Sequence, residues 1–226
     1  MSEPVLSRVG AAAGVLTVIL TFVGFGLHGG LPDSATAGAV RSYVDHISAS
    51  QAGIGNYLEL LGYVFFLVFA AFLYVVARAQ NPDQLNWLAV LALVAATAYV
   101  ALSAAAIAGQ QVMVEWAKAG TDQRTVLGIY ILDVEAFTLS FELAALFLAG
   151  IGLALLSTRG MLRLLGLAAL VVAAIVFLSG LIGAASISSG INQLGFLLFI
   201  LWTLIAGIYL LIRPPRLATA ASRVLQ

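Results

Sequence analysis

Apolar residues in this chain run in long blocks separated by short polar clusters. Between Arg163 and Arg213 lie 49 consecutive residues without a charge. A hydrocarbon core of about 30 Å is crossed by about 20 helical residues. That block therefore predicts two crossings, with a turn at Ser186-Ile187-Ser188-Ser189-Gly190-Ile191-Asn192-Gln193, its polar, turn-forming cluster. The same pattern predicts four earlier spans, giving six at about 9–27, 56–77, 84–111, 126–156, 164–185 and 194–212. Asn81 and Pro82 read as the N-cap and first position of the third span, and Pro214-Pro215 as the stop of the last. The first span follows Arg8. It is longer than the apolar core of a secretory signal and is followed by no small-residue cleavage pattern, so it reads as a retained helix.

The connection after the first span has a pattern of its own. Pro32-Asp33-Ser34 reads as a helix start. Val40, Tyr43, Val44 and Ile47 then share one face at helical spacing, with Arg41, Asp45 and His46 turned away. This predicts a short amphipathic helix that caps the bundle; a single basic residue offers little attraction to lipid headgroups. The fold class expected is an all-α membrane protein, a single integral domain over 1–226.

Composition narrows the function. Hydrophobic residues make up 62% of the chain and charged residues 9%, and ten basic residues balance ten acidic ones. No bulk field draws such a chain to nucleic acid, and membrane lipids are its expected partners. There is no cysteine, hence no disulfide, thiolate metal site or cysteine nucleophile. The distribution of Lys and Arg sets the expected direction. Arg8, Arg78, Arg159, Arg163, Arg213, Arg216 and Arg223 fall on one side, and Arg41, Lys118 and Arg124 on the other. Both termini are then cytoplasmic, in the inner (plasma) membrane. Trp87 and Trp116 fall near opposite membrane–water boundaries, while Trp202 reads as packing.

Two helical hairpins echo each other. Glu59-Leu60-Leu61 runs through apolar residues to Arg78, and Glu142-Leu143-Ala144 runs in the same way to Arg159. This reads either as a parallel repeat or as the chance alignment of Ala, Leu and Val runs. The Pro32-Asp33-Ser34-Ala35 segment, the descent to Arg78 and the Leu-rich restart after Arg159 resemble a group of uncharacterised multi-pass membrane proteins common in actinobacteria. The resemblance implies a six-helix topology and no particular activity.

The chemistry that remains is a layer of polar residues. Counting from the arginines at about 1.5 Å per residue, Glu59, Glu142 and His28 stand at similar heights of about 25–30 Å, near the outer edge of the hydrocarbon. Asp133, Glu135, Gln110 and Gln111 come out at headgroup level on the same count. Below the layer, Phe65, Phe66, Phe69, Leu146 and Phe147 form an apolar floor, which argues against a continuous proton path. Asn56, Glu59 and Tyr63 share a helix face, as do Glu135, Thr138 and Glu142. These stripes should face inward, because lipid offers carboxylates no partner.

The expected site is an outward-facing acidic vestibule for a small or lipidic ligand, contacted by His28, Asn56, Glu59, Tyr63, Glu135 and Glu142, in transport or sensing. One imidazole and two carboxylates, His28, Glu59 and Glu142, also suit a divalent metal, which opens the alternative of a metal-dependent membrane hydrolase. A third reading is a structural or assembly subunit, with the two glutamates hydrogen-bonded to fix helix packing. Gly10-x-x-x-Gly14 and Gly26-x-x-x-Gly30 fit close intrachain packing. No nucleophile elbow, phosphate loop, dinucleotide fingerprint or H-E-x-x-H motif is present.

Overall fold

Lipid cannot hydrogen-bond a backbone, so apolar blocks of this length satisfy their own N–H and C=O groups as helices. A computed structural model describes residues 3–30, 32, 34–80, 87–185 and 191–215. Among them the chain forms α1 (Glu3–His28), α2 (Ala37–His46), α3 (Ala49–Gln80), α4 (Trp87–Lys118), α5 (Gln123–Leu156), α6 (Met161–Ala185) and α7 (Ile191–Ile212). All but α2 are long and apolar enough to cross a membrane. These six helices overlap the six apolar windows and run past them: α3 begins at Ala49 and α4 continues to Lys118. The predicted cap at Asn81-Pro82, Asp33, and Ser186–Gly190 of the predicted turn lie outside the described residues. α7 stops before Pro214-Pro215.

The long helices form a ring. Each packs on its neighbours in the order α1, α3, α4, α5, α6, α7, and α7 closes back onto α1. Every neighbouring pair is antiparallel. Across α1 and α3, Gly14 faces Phe69 while Gly24 faces Gly55. Across α5 and α6, Gly152 faces Gly166 while Gly180 faces Glu142. Across α7 and α1, Gly207 faces Ala11, while Phe25 stacks near Phe196 with ring centroids 6.4 Å apart. The ring has an arginine end, with Arg8, Arg78, Arg159, Arg163 and Arg213, and an opposite end that carries His28, Asn56 and α2.

Small residues set the spacing of the seams. A Cβ on Gly24 would lie 2.6 Å from the Gly55 carbonyl oxygen, and one on Gly150 would lie 2.9 Å from that of Leu88. Backbone atoms cannot swing aside as a side chain can, so these helices touch through glycine. Gly10 and Gly14 serve the same purpose against Phe72 and Phe69. Gly26 meets nothing and Gly30 only the edge of Phe25, so the second glycine pair is not a packing motif. Gly29, at φ +73°, ends α1, its N–H accepted by the Phe25 carbonyl at 2.9 Å.

The centre of the ring is aromatic. Phe66 meets Tyr99, Phe147 and Phe199 edge-on, with ring centroids 5.1–5.5 Å apart, the arrangement that the ring quadrupoles favour. Trp202 packs on Phe147 and donates its indole N–H to the Leu165 carbonyl at 3.1 Å, tying α7 to α6. Outside, Leu16, Ile19, Val23, Val64, Val68, Leu139, Leu146, Leu153, Leu197 and Leu201 are exposed around the ring. Water would penalise such a belt, whereas a bilayer accommodates it.

α2 sits across the end opposite the arginines. Thr36 caps it, its hydroxyl accepting the Ala39 N–H at 3.3 Å. Val40 and Val44 are buried, and Arg41 and Asp45 are exposed. Val40 and Ile47 join Ala52, Met113, Val114, Val126 and Tyr130 in a small second core. Lys118 donates to the Val44 carbonyl at 3.0 Å, near the negative end of the α2 dipole.

Candidate functional site

The site begins where α1 ends. His28, in the last turn of α1, faces α3, and its Nε2 lies 3.0 Å from Oε2 of Glu59. Both side chains are almost fully buried. The contact is close because Gly24 and Gly55 let the two helices approach: a Cβ on Gly55 would stand 2.9 Å from His28 Cδ2. Nδ1 of His28 lies 2.6 Å from the Gly29 carbonyl oxygen. Each ring nitrogen thus lies within hydrogen-bond distance of an oxygen. One turn below Glu59 on α3, Tyr63 donates to Oε1 of Glu59 at 3.3 Å.

α4 and α2 continue the network. Gln110 Nε2 donates to the Tyr43 hydroxyl at 2.8 Å and lies 3.3 Å from His28 Nδ1. The line Tyr43–Gln110–His28–Glu59–Tyr63 therefore links the capping helix to the α1–α3–α4 seams. Burial pushes the Tyr43 phenol above its ordinary value; the Gln110 hydrogen bond opposes this, and the charges of Asp133 and Glu59 add to it. Beside this line, Asn56 donates to Gln111 Oε1 at 3.2 Å, and Gln111 donates to Glu115 at 2.6 Å.

Asp133 completes the cluster from α5. It packs against Gly109, lies within electrostatic range of Glu59 and His28, and is 4% exposed. Its Oδ2 and the Asn56 Oδ1 are buried with no hydrogen-bond partner among the described residues. So are the hydroxyls of Tyr99 and Ser103. The Tyr99 ring meets that of Tyr63 edge-on at 5.6 Å, and the aromatic centre of the bundle lies beneath.

Of the residues expected from sequence, His28, Asn56, Glu59 and Tyr63 come together. Glu135 and Glu142 do not join them. Glu142 is half-buried on the α5–α6 seam, where its Oε1 would lie 2.7 Å from a Cβ on Gly180. Neither acid makes a hydrogen bond or ion pair among the described residues. Asp133, Gln110, Gln111 and Tyr43 are the residues that the height count misplaced or left aside. The count took Arg159 as the foot of α5, but α5 ends at Leu156 and Arg159 lies in the turn beyond it. Turn residues do not rise at the helical rate, so every height on α5 came out too large.

Two further expectations change. The cluster is covered rather than open: His28, Asn56, Glu59, Gln110 and Asp133 are each 4% exposed beneath α2 and its flanks. The metal set of His28, Glu59 and Glu142 is not assembled, and no three His, Cys, Asp or Glu side chains among the described residues could hold an ion. His28 and Glu59 supply one imidazole and one carboxylate, already engaged with each other, which does not fit a three-ligand catalytic zinc site.

Fold and site together define a multi-pass helical membrane protein with a buried polar cluster at one end of its bundle. Set against known protein families, curated proteins and solved structures, the chain matches none of them.

Proposed function

We propose that the protein lies in the plasma (inner) membrane with both termini in the cytoplasm, and that its polar cluster binds a small or lipidic ligand from the outer side, in transport or sensing. The excess of arginine at the opposite end supports this direction. The reading keeps the topology implied by the resemblance to the actinobacterial multi-pass group. The observation that carries it is the pair of buried acceptors without a partner among the described residues, Asn56 Oδ1 and Asp133 Oδ2, beside the His28–Glu59 pair. A cluster that served packing alone would satisfy its own members, because each unpaired buried polar group costs about 1–3 kcal/mol. His28, Asn56, Glu59, Tyr63 and Asp133 line the binding site, and α2 is its cover. α2 is short, held by few contacts, and approached through Gly29 and Gly30.

The absence of cysteine makes a direct test clean. Asn56→Cys and Ser103→Cys should react with a membrane-impermeant thiol reagent added outside intact cells, and Phe147→Cys, in the aromatic floor, should not. Labelling only from the cytoplasmic side, or none at either position, rejects the outward-opening site. A structural role has one observation in its favour, the helix-to-helix contact of His28 with Glu59. That role predicts no labelling at Asn56→Cys even after Tyr43→Ala loosens α2.

A further inference from the structure

Building on that reading, we infer that the ligand is an organic ammonium ion bearing N–H groups, either a free amine or the amine of a lipid headgroup. The cluster keeps two buried oxygens without a partner among the described residues, while several of its donors are already engaged. Asn56 Nδ2 donates to Gln111, Gln110 Nε2 to Tyr43 and Tyr63 to Glu59, while His28 faces Glu59 and the Gly29 carbonyl. Asn56 Oδ1 can only accept, and so can Asp133 Oδ2 as a carboxylate.

Charge points the same way. Glu59 has His28 as its partner, whereas Asp133 Oδ2 has none among the described residues. The one lysine of the sequence, Lys118, is engaged with the Val44 carbonyl, and Arg41 is exposed on the outer face of α2 with Asp45. An anion would meet two acidic side chains; an ammonium would meet acceptors suited to charge-assisted hydrogen bonds. The Tyr63 and Tyr99 rings beside Glu59 add aromatic faces that attract such a cation. A hard metal ion fits less well. Calcium takes six to eight oxygens closely arranged, and the described acids form no such group.

The test uses the full-length protein in phosphatidylcholine nanodiscs, with thermal unfolding read against added ethylammonium, tetramethylammonium, acetate, sodium or calcium. Ethylammonium should raise the midpoint of unfolding. Tetramethylammonium, which has the charge but no N–H, should do so little. Asp133→Asn, close to isosteric, should weaken the apparent affinity for ethylammonium by about tenfold or more, the loss expected for one charge-assisted hydrogen bond. Glu142→Gln should leave it unchanged. Replacing phosphatidylcholine by phosphatidylethanolamine separates the two sources: stabilisation by the lipid that Asp133→Asn removes assigns the headgroup, and stabilisation by soluble ethylammonium alone assigns a free amine. An equal response to sodium, calcium or tetramethylammonium overturns the N–H requirement, and a response to acetate alone overturns the charge; either leaves the binding site standing. No response to any probe or lipid, with Asn56→Cys inaccessible from outside, overturns both readings.

Discussion

The α1–α3 and α5–α6 seams are built alike and end differently. Each brings glycine against glycine or against backbone, and each carries a glutamate on a helix that descends toward an arginine. On the first seam the facing helix offers an imidazole, and Glu59 is buried at 4% exposure with a partner at 3.0 Å. On the second it offers Gly180, and Glu142 stays half-buried and without a hydrogen bond among the described residues. On these two seams the glutamate is buried where the opposite helix supplies a partner and left half-buried where it does not. The facing residue, rather than the glutamate, decides which seam holds chemistry.

The largest effect should come from cutting the first pair. Glu59→Ala leaves a buried imidazole without its carboxylate and should cost about 3–5 kcal/mol in unfolding free energy, read by denaturant titration in detergent. Glu142→Ala should stay within about 1 kcal/mol in the same titration. Equal losses at the two positions would erase the distinction between the seams. Gly55→Ala comes next: its Cβ would meet the Gly24 carbonyl at 2.8 Å and His28 at 2.9 Å, and overpacking of this kind costs about 1–3 kcal/mol. Gly180→Ala also meets an atom at 2.7 Å, but that atom is the end of the flexible Glu142 side chain. Its loss should be much smaller, and a loss matching that of Gly55→Ala would show that Glu142 is held in place.

The smallest effect lies on the cover. Tyr43→Phe removes one hydrogen bond to Gln110 and should cost about 0.5–1.5 kcal/mol, with faster thiol labelling at Asn56→Cys. Folding raises the Tyr43 phenol, so the neutral hydroxyl is the form that docks. Its contribution is whole below about pH 10, the ordinary value for tyrosine, and is lost as pH climbs through the raised value. Labelling at position 56 should therefore accelerate in alkali with Tyr43 present and much less in the Tyr43→Phe variant.

The spans were legible in the sequence because lipid imposes one strong rule on long apolar blocks, and Gly10, Gly14 and the buried Phe66, Phe69 and Phe147 follow from the same rule. The Gly26–Gly30 pair, by contrast, does not pack, and Leu146, expected in the floor, is exposed. The site was only half legible. His28 and Glu59 stood out as polar residues in apolar helices, but their partners depend on which helix neighbours which, and hydropathy does not encode the ring order. Asp133 carries a signal of its own. It heads the stripe Asp133, Ser140, Ala144, Phe147 and Ile151, buried throughout at helical spacing. Glu135 and Glu142 instead flank the exposed stripe Leu132, Leu139, Leu146 and Leu153. Reading burial from neighbouring turns would have separated the three acids.

Contact between α7 and α1 has a consequence for biosynthesis. Helices enter the bilayer in chain order, yet the surface of α1 around Ala11 and Val15 has its neighbour, Gly207, on the last span. That surface faces acyl chains until α7 has entered the bilayer. The His28–Glu59 pair can form as soon as α3 is inserted. The polar lock therefore holds the first hairpin in register while the unfinished circle waits for its closing member.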